Sequence, residues 1–328
     1  MSRAQLTSTV EQSSGGAVPP IVAGKNAIIN GGMDWFQRST SVTIPNTTPG
    51  YYAPDRFLFY SNGGSTTLSR VAGTAGITYA TQVATTSGNT QVNIENRLEY
   101  QSAQLLMGKT VTFSFYVNVA TTSGVGIAVG DYYPSSLDNW ASVTFAQKGT
   151  VSAGQLSAGN WVRQSITFTA DSNTTGLGFY LTITGLGANT LQITGLQVEI
   201  GSVATSFSRA GGTLSGELAA CQRYYYQLAT GNSQMLCAGN NFATGQFDGL
   251  VAFPVTMRIA PSLSNTTGTG YYTTRQGGAA TINSFTIYQP STTTAMIYGA
   301  LNAGLTAGQG NIAVTNNASA SIGFSAEL

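Results

Sequence analysis

The chain is predicted to be all-β and antiparallel. Three observations carry that reading: strict alternation of apolar and polar residues in several segments, Gly-, Asn- and Ser-rich turns between them, and a single short stretch of helical period. The clearest alternation starts at Lys109: Val111, Phe113, Phe115, Val117 and Val119 take one parity, and Thr110, Thr112, Ser114, Tyr116 and Asn118 the other. Such a strand has one face on a core and the other in water. Val162, Gln164, Ile166, Phe168 and then Leu177, Phe179, Leu181, Ile183 repeat the pattern. Two-faced strands of this kind pack as a sandwich.

From Leu191 to Ile200 the phase changes. Leu191 and Ile193 share one parity, Leu196, Val198 and Ile200 the other, and Gly195 lies between them. A β-bulge at Gly195 is predicted, because without it half of the strand would face away from the core. Between Gly211 and Ala229 the period shifts, with Leu214, Leu218, Cys221, Tyr225 and Leu228 four, three, four and three apart. This predicts a short helix near 214–228, capped by Ser215, with Glu217 where the helix dipole favours an acid. A helix covering a sheet is the commoner use of such a stripe, and a seam between chains is the alternative. Further on, Val251, Phe253 and Val255 alternate around Pro254, which implies an edge position or an early strand end. Short strands are expected around Phe285–Tyr288, Ile312–Val314 and Ile322–Ala326. Residues 212–328 thus read as a second β-domain, with the turn spacing of a small sandwich. Residues 1–24 show neither period and contain Pro19-Pro20, so they read as an extended arm, either a frayed terminus or a peptide that docks the chain on a larger body.

Composition narrows the function classes. Charged residues are 8% of the 328, against about a quarter in ordinary soluble domains, while hydrophobic residues reach 42%. Hydroxyls and amides must carry solubility, and a surface poor in long charged side chains loses less entropy when it is packed or bound. Net charge is +1 with the charges scattered, which offers no basic stripe to a phosphate backbone, so nucleic acid is not an expected partner. No apolar run is long enough for membrane insertion, and no secretory signal pattern opens the chain. Cys221 and Cys237 form no disulfide framework or metal motif; free, partly buried thiols are expected, with a single disulfide as the alternative.

Histidine is absent, which removes Ser-His-Asp and Cys-His catalysis and the commonest transition-metal ligand. No phosphate-cradling loop occurs, and no cofactor is expected. What remains is carboxylate chemistry of the glycosidase type, which needs two acids about 5–9 Å apart in a cleft. Glu95 and Glu99 are four apart, but beside Arg97 they read as exposed surface. Asp131 and Asp138 flank Tyr132, Tyr133 and Pro134, either a loop where a sugar could bind or turn-forming acids. Flat rings stack on sugars, so Tyr132, Tyr133 and Trp140, with Asp131 and Asp138, and Tyr271 with Tyr272, are the candidate ligand-binding residues; Tyr51-Tyr52 forms a similar pair. Packing is the alternative for each. Trp35 and Trp161 are expected in the core. The chain is therefore expected not to be an enzyme.

Particular residues carry a resemblance. The stretch Asn26-Ala-Ile-Ile-Asn-Gly-Gly-Met-Asp-Trp-Phe-Gln-Arg-Ser-Thr-Ser41, followed by Tyr52-Ala-Pro-Asp55-Arg56-Phe57, resembles the opening of tailed-bacteriophage tail-fibre and tail-spike proteins. It departs from that pattern in the inserted Phe36, in Ser39 where a Gly is usual, and in Phe57 where a Trp is usual. Further stretches similar to the family follow in order: Gly108 to Val117, Leu196 to Phe207, Glu217 to Tyr225, Phe253 to Arg258 with Pro261, and Ala326-Glu-Leu328. The resemblance implies a jelly-roll sandwich similar to carbohydrate-binding modules over 25–211, then a smaller β-rich C-terminal domain over 212–328. It implies a homotrimeric virion component, assembled in the host cytoplasm and held to other virion proteins by its N-terminal arm, which contacts host surface polysaccharide. A purely structural decoration or connector protein, and a polysaccharide-degrading spike using carboxylates, are the rival readings. In similar modules a structural calcium sometimes joins the sandwich ends, for which Glu199 is a conceivable ligand.

Overall fold

The computed structural model describes residues 24–173, 175–275 and 280–328. The expected arm lies outside them except for Gly24. Twelve strands come first: β1 (Ser41–Ile44), β2 (Gly50–Tyr51), β3 (Phe57–Asn62), β4 (Thr66–Ala72), β5 (Tyr79–Thr85), β6 (Gln91–Leu98), β7 (Thr110–Val119), β8 (Gly126–Ser136), β9 (Asn139–Val151), β10 (Val162–Thr169), β11 (Leu177–Thr184) and β12 (Thr190–Ile200). They form two six-stranded antiparallel sheets, in the orders β1-β4-β5-β12-β7-β10 and β2-β3-β6-β11-β8-β9. This is the jelly-roll sandwich. Its core is filled by the expected parities, including Phe113, Phe115 and Val117 from the first sheet and Phe179, Leu181 and Ile183 from the second. Phe113 meets Phe115 and Phe179 edge-on at 5.8 and 6.0 Å between ring centres. Trp35 and Trp161, expected there, are only half-buried at its margins.

The bulge falls where the phase change puts it. The β12–β7 register slips between Thr194 and Gln197, and Gly195 takes a positive φ of 64°. Leu191, Ile193, Leu196 and Val198 are all buried as a result, whereas Ile200, expected with them, is exposed at the end of the strand. An L-residue with a side chain would be strained in this conformation.

A short helix α1 (Tyr100–Ala103) follows β6, and the second helix α2 runs Leu214–Gln222. The expected helix is shorter than its stripe because Tyr225 begins β13 (Tyr225–Thr230), pairing with Ser325. Its cap is Thr213, whose hydroxyl accepts from the Gly216 N–H at 3.0 Å, and Ser215 is not the cap. Eight further strands complete the chain: β14 (Met235–Ala243), β15 (Gln246–Ala252), β16 (Ser262–Asn265), β17 (Tyr272–Thr274), β18 (Thr281–Tyr288), β19 (Thr294–Leu301), β20 (Gly310–Thr315) and β21 (Ser321–Ser325). The expected small sandwich is instead a closed barrel, β14-β15-β19-β18-β17-β20, beside a three-stranded sheet β13-β21-β16. Closure follows because β20 pairs with both β14 and β17, which leaves the barrel no free edge. Strand β15 ends at Ala252, two residues before Pro254. Cys221 and Cys237 are buried and unpaired. Neither helix is long or apolar enough to cross a membrane.

The segments after β12 dock on one corner of the sandwich through charge. Arg56 is fully buried, ion-paired to Glu327, and lies 3.5 Å from the centre of the Tyr224 ring. Arg38 reaches the same carboxylate at 3.3 Å and sits 3.6 Å from the Tyr225 ring centre. Glu99 accepts two hydrogen bonds from Arg223, at 2.8 and 2.9 Å, and one from the Tyr224 hydroxyl at 2.6 Å. Burial alone would raise its pKa, but these donors hold the carboxyl below the usual range. Burial pushes Asp55 up to about 6, although Arg38 and Gln37 oppose the shift.

Candidate functional site

The expected exposed loop around Asp131 is strand β8, and its aromatic residues are packed. Tyr132 is fully buried and Trp140 nearly so, with their rings 5.2 Å apart. Tyr132 also stacks on Phe145 at 4.8 Å and meets Tyr180 edge-on at 6.2 Å. The reason is local: on the outer face of the second sheet Tyr132 lies across Gly178, and Tyr180 lies across Gly130. A Cβ on either glycine would come within 2.8 Å of the ring above it. The cluster is closed by Arg97, which donates to the Tyr132 hydroxyl at 3.3 Å and to the Leu328 carbonyl at 2.8 Å. These rings are therefore not a sugar platform.

The other candidates separate likewise. Asp131 is fully buried, accepts from the Asp171 N–H at 2.7 Å and pairs with Lys148 at 3.3 Å; burial raises its pKa against those partners. Asp138 makes the β8–β9 turn with φ 50° and accepts from the Tyr100 N–H. Tyr133 is half-buried, on the strand face opposite Tyr132. Tyr272 is barrel core, its ring 5.1 Å from Phe285 and its hydroxyl donating to the Ser321 carbonyl at 2.6 Å, with Tyr271 packed partly against that core. Tyr51 donates to the Leu328 carbonyl at 3.0 Å. Glu95 is buried, in contrast to the expected exposed surface, and Glu99 belongs to the joint with Arg223. Glu199 is also buried, ringed by donors from Thr205, Gln197 and Lys25; among the described residues no three acids or thiols are grouped to hold a metal.

The outer face of the first sheet is different in kind. Register places Ser41, Ser69, Gln82, Gln192 and Asn118 side by side across β1, β4, β5, β12 and β7. Hydrogen bonds link Ser41 to Ser69 at 3.1 Å, Gln82 to Gln192 at 3.3 Å and Gln192 to Asn118 at 3.4 Å. None of the five is buried. Each amide keeps spare donors and acceptors beyond these bonds, so the row can hydrogen-bond an uncharged, hydroxyl-rich ligand.

Two residues further along β7, about 7 Å away, the same face reaches Tyr116, at one of two hollows that flank the β4–β5 turn. On one side a hollow of about 240 Å³ is lined by Tyr116, Arg163, Ile77, Phe207 and Arg209. On the other a hollow of about 610 Å³ is lined by Trp35, Phe36, Tyr79, Arg70, Leu214 and Leu218; Arg70 and Tyr79 share the strand parity of the core residues Leu68 and Val83, so this hollow is not on the face of the amide row. Arg209 lines the first and Asp34 the second, and they join in a two-pronged ion pair at 2.7 and 3.0 Å. Arg70 lies over Tyr79 and Phe36, 4.7 and 5.8 Å from their ring centres. The larger volume and its aromatic lining with a few polar groups are those of a ligand cleft. A third hollow, about 520 Å³ beside Leu98, Leu106 and Tyr224, is chiefly aliphatic and lies at the charged joint.

Tyr116 and Asn118 were legible as members of a polar strand face, but nothing local in the sequence marks them as neighbours of Gln82, Gln192 or Arg163. Only register across the sheet does so.

No protein-family model matches the chain, and no curated protein does. Solved structures similar to it include a Bacteroides thetaiotaomicron protein described as sugar binding, at 9% identity over 54% of this chain and 100% of that one, with a TM-score of 0.37. A β-sandwich carbohydrate-binding module described as promiscuous in specificity matches at 9% identity over 44% of this chain and 57% of that one, TM-score 0.35. A family 61 carbohydrate-binding module solved with β-1,4-galactotriose matches at 12% identity over 54% and 99%, TM-score 0.31. At these identities and scores the likenesses carry no argument about function.

Proposed function

We propose that the chain is a non-catalytic structural protein of a tailed-bacteriophage particle, a tail fibre or spike that contacts host surface glycan during adsorption. The observation that carries the glycan part is the open row of amides and hydroxyls across five strands, continued along β7 by the Tyr116 ring and the hollow it lines. Neutral hydrogen-bonding groups beside flat rings suit a polyhydroxylated ligand. The phage part rests on the ordered resemblance spanning residues 26–328. A homotrimer would present three such faces, and effective concentration would then raise a weak single-site affinity.

The absence of catalysis is supported by the state of the acids. Apart from Glu11, outside the described residues, every carboxylate has a hydrogen-bond donor or cationic partner in place. None stands as a free pair across the cleft.

The test is binding of the purified full chain to an array of bacterial capsular and O-antigen polysaccharides, alongside assay for their breakdown. Saturable binding without chain shortening is expected. No binding to any polysaccharide, with the chain folded, would overturn the glycan reading and leave a connector role; shortening of the polysaccharide would restore the enzymatic one. Imaging the particle with the chain labelled tests the virion assignment separately.

A further inference from the structure

We infer that the smaller hollow on the first sheet is a subsite for a carboxylate-bearing sugar residue, with Arg163 as the group that recognises the acid. This deepens the glycan reading above and rests on it. Arg163 faces out from β10 directly opposite Tyr116 of β7, its guanidinium 5.6 Å from that ring. One end is anchored, because Nη2 donates to Ser114 Oγ at 3.1 Å and to the Thr205 carbonyl. The rest of the fork has no protein partner: Nε is sealed from solvent without a hydrogen bond, and Nη1 has none among the described residues. No carboxylate among them lies within 4.0 Å of Arg163.

Among the described cations Arg70, Lys109, Arg258 and Arg275 likewise have no acid within 4.0 Å, and the other seven do. Lys25, Arg38, Arg56, Arg97, Lys148, Arg209 and Arg223 all have an acid in place. Arg209, the second cation of the same hollow, is neutralised by Asp34. Arg163 thus brings one uncompensated positive charge into a concave site that has an aromatic wall, Tyr116, and an apolar one, Ile77. With Nε sealed and Nη2 engaged, Nη1 is the end left for a ligand, and a charged N–H donor binds a carboxylate more strongly than a neutral hydroxyl. The flat Tyr116 ring beside it can take the face of the sugar that carries the acid. Gly195 shapes the floor: a Cβ there would stand 2.7 Å from Ile77 Cδ1 and 2.9 Å from Tyr116 Cδ2.

The experiment uses the full chain and the polysaccharides it binds in the array, each compared with its carboxyl-reduced form, in which uronic acids have become neutral hexoses. Uronate-containing chains are expected to bind at least about tenfold more tightly than their reduced forms, with the difference shrinking in high salt. Arg163→Gln should abolish that difference. Arg163→Lys should retain part of it, which separates loss of charge from loss of the Ser114 and Thr205 anchors. If reduction leaves affinity unchanged, or if only uncharged glycans bind, the acidic subsite is overturned while the glycan reading stands. If no glycan binds in either form, both fall.

Discussion

The two outer faces of this one sandwich have opposite fates. That of the second sheet carries Tyr132, Tyr180, Trp140 and Phe145, and the chain's own last residues are laid against it. That of the first sheet carries Ser, Gln and Asn, remains open, and ends at the hollow beside Tyr116. The aromatic content that suggests sugar binding is spent on the covered face; the open face would bind with less conspicuous residues. The contrast teaches that ring content alone is a poor guide to a binding face, because large rings gain most by leaving water.

The covered face should break most expensively. Arg56 is buried with Glu327 as its ion partner, so Glu327→Gln leaves an uncompensated buried guanidinium. A loss of about 3–5 kcal/mol in urea unfolding is expected, and a loss below about 1 kcal/mol would mean that the joint is held by other contacts. Glycan binding by the folded fraction should be unchanged, since nothing on the open face is touched.

The same corner should give the protein an acid-side pH dependence of unusual sign. Asp55, raised by burial to about 6, binds a proton more readily folded than unfolded. Its contribution to stability is therefore full below about pH 4 and is lost as pH rises towards about 6, an effect of order 3 kcal/mol. Glu99 and Glu199, both held below their ordinary values, act oppositely, losing their contribution as pH falls through the low carboxylate range. The stability of the wild type relative to Asp55→Asn, measured from pH 4 to pH 7, should decline with rising pH. A flat difference would place Asp55 at its ordinary value.

The sequence made the sandwich legible and its faces less so. Strands β7, β10, β11 and β12 follow from alternation, and the Gly195 bulge follows from one change of parity. The barrel was hidden because closure depends on β20 pairing at both edges, which no local pattern records. Helix α2 was overestimated because Tyr225 and Leu228 continue its period while the backbone turns into a strand. Several residues carrying the phage resemblance are joint residues: Asn30 donates to Glu217, Gln37 bridges Asp55 and the Tyr225 carbonyl, and Arg56 meets Glu327. Others in the same stretches, Trp35, Phe36, Tyr116 and Phe207, line the two hollows, so the resemblance does not separate architecture from site.

Gly195 links the two faces to the core between them. Gly195→Ala should cost about 1–3 kcal/mol, from positive-φ strain together with overpacking against Ile77 and Tyr116. Thermal unfolding reads the first effect. Displacement of the Tyr116 ring signals by NMR reads the second, and an unshifted Tyr116 would mean that the backbone relaxes instead.

The smallest effect on stability should come from the open face, and it discriminates best. Gln192 is half-exposed and bridges Gln82 and Asn118 at 3.3 and 3.4 Å, long contacts that contribute little to the fold. Gln192→Ala should therefore change unfolding by no more than about 0.5 kcal/mol. In the bound state the same amide would face a ligand and exclude water, where removing one partner leaves the other unsatisfied and costs about 1–3 kcal/mol. A drop in glycan affinity of roughly tenfold, with the melting temperature unchanged, is the expected result. Equal affinity would move the site off the amide row and into the aromatic hollow beside Trp35 and Tyr79, where Tyr79→Ala would then have to show the loss.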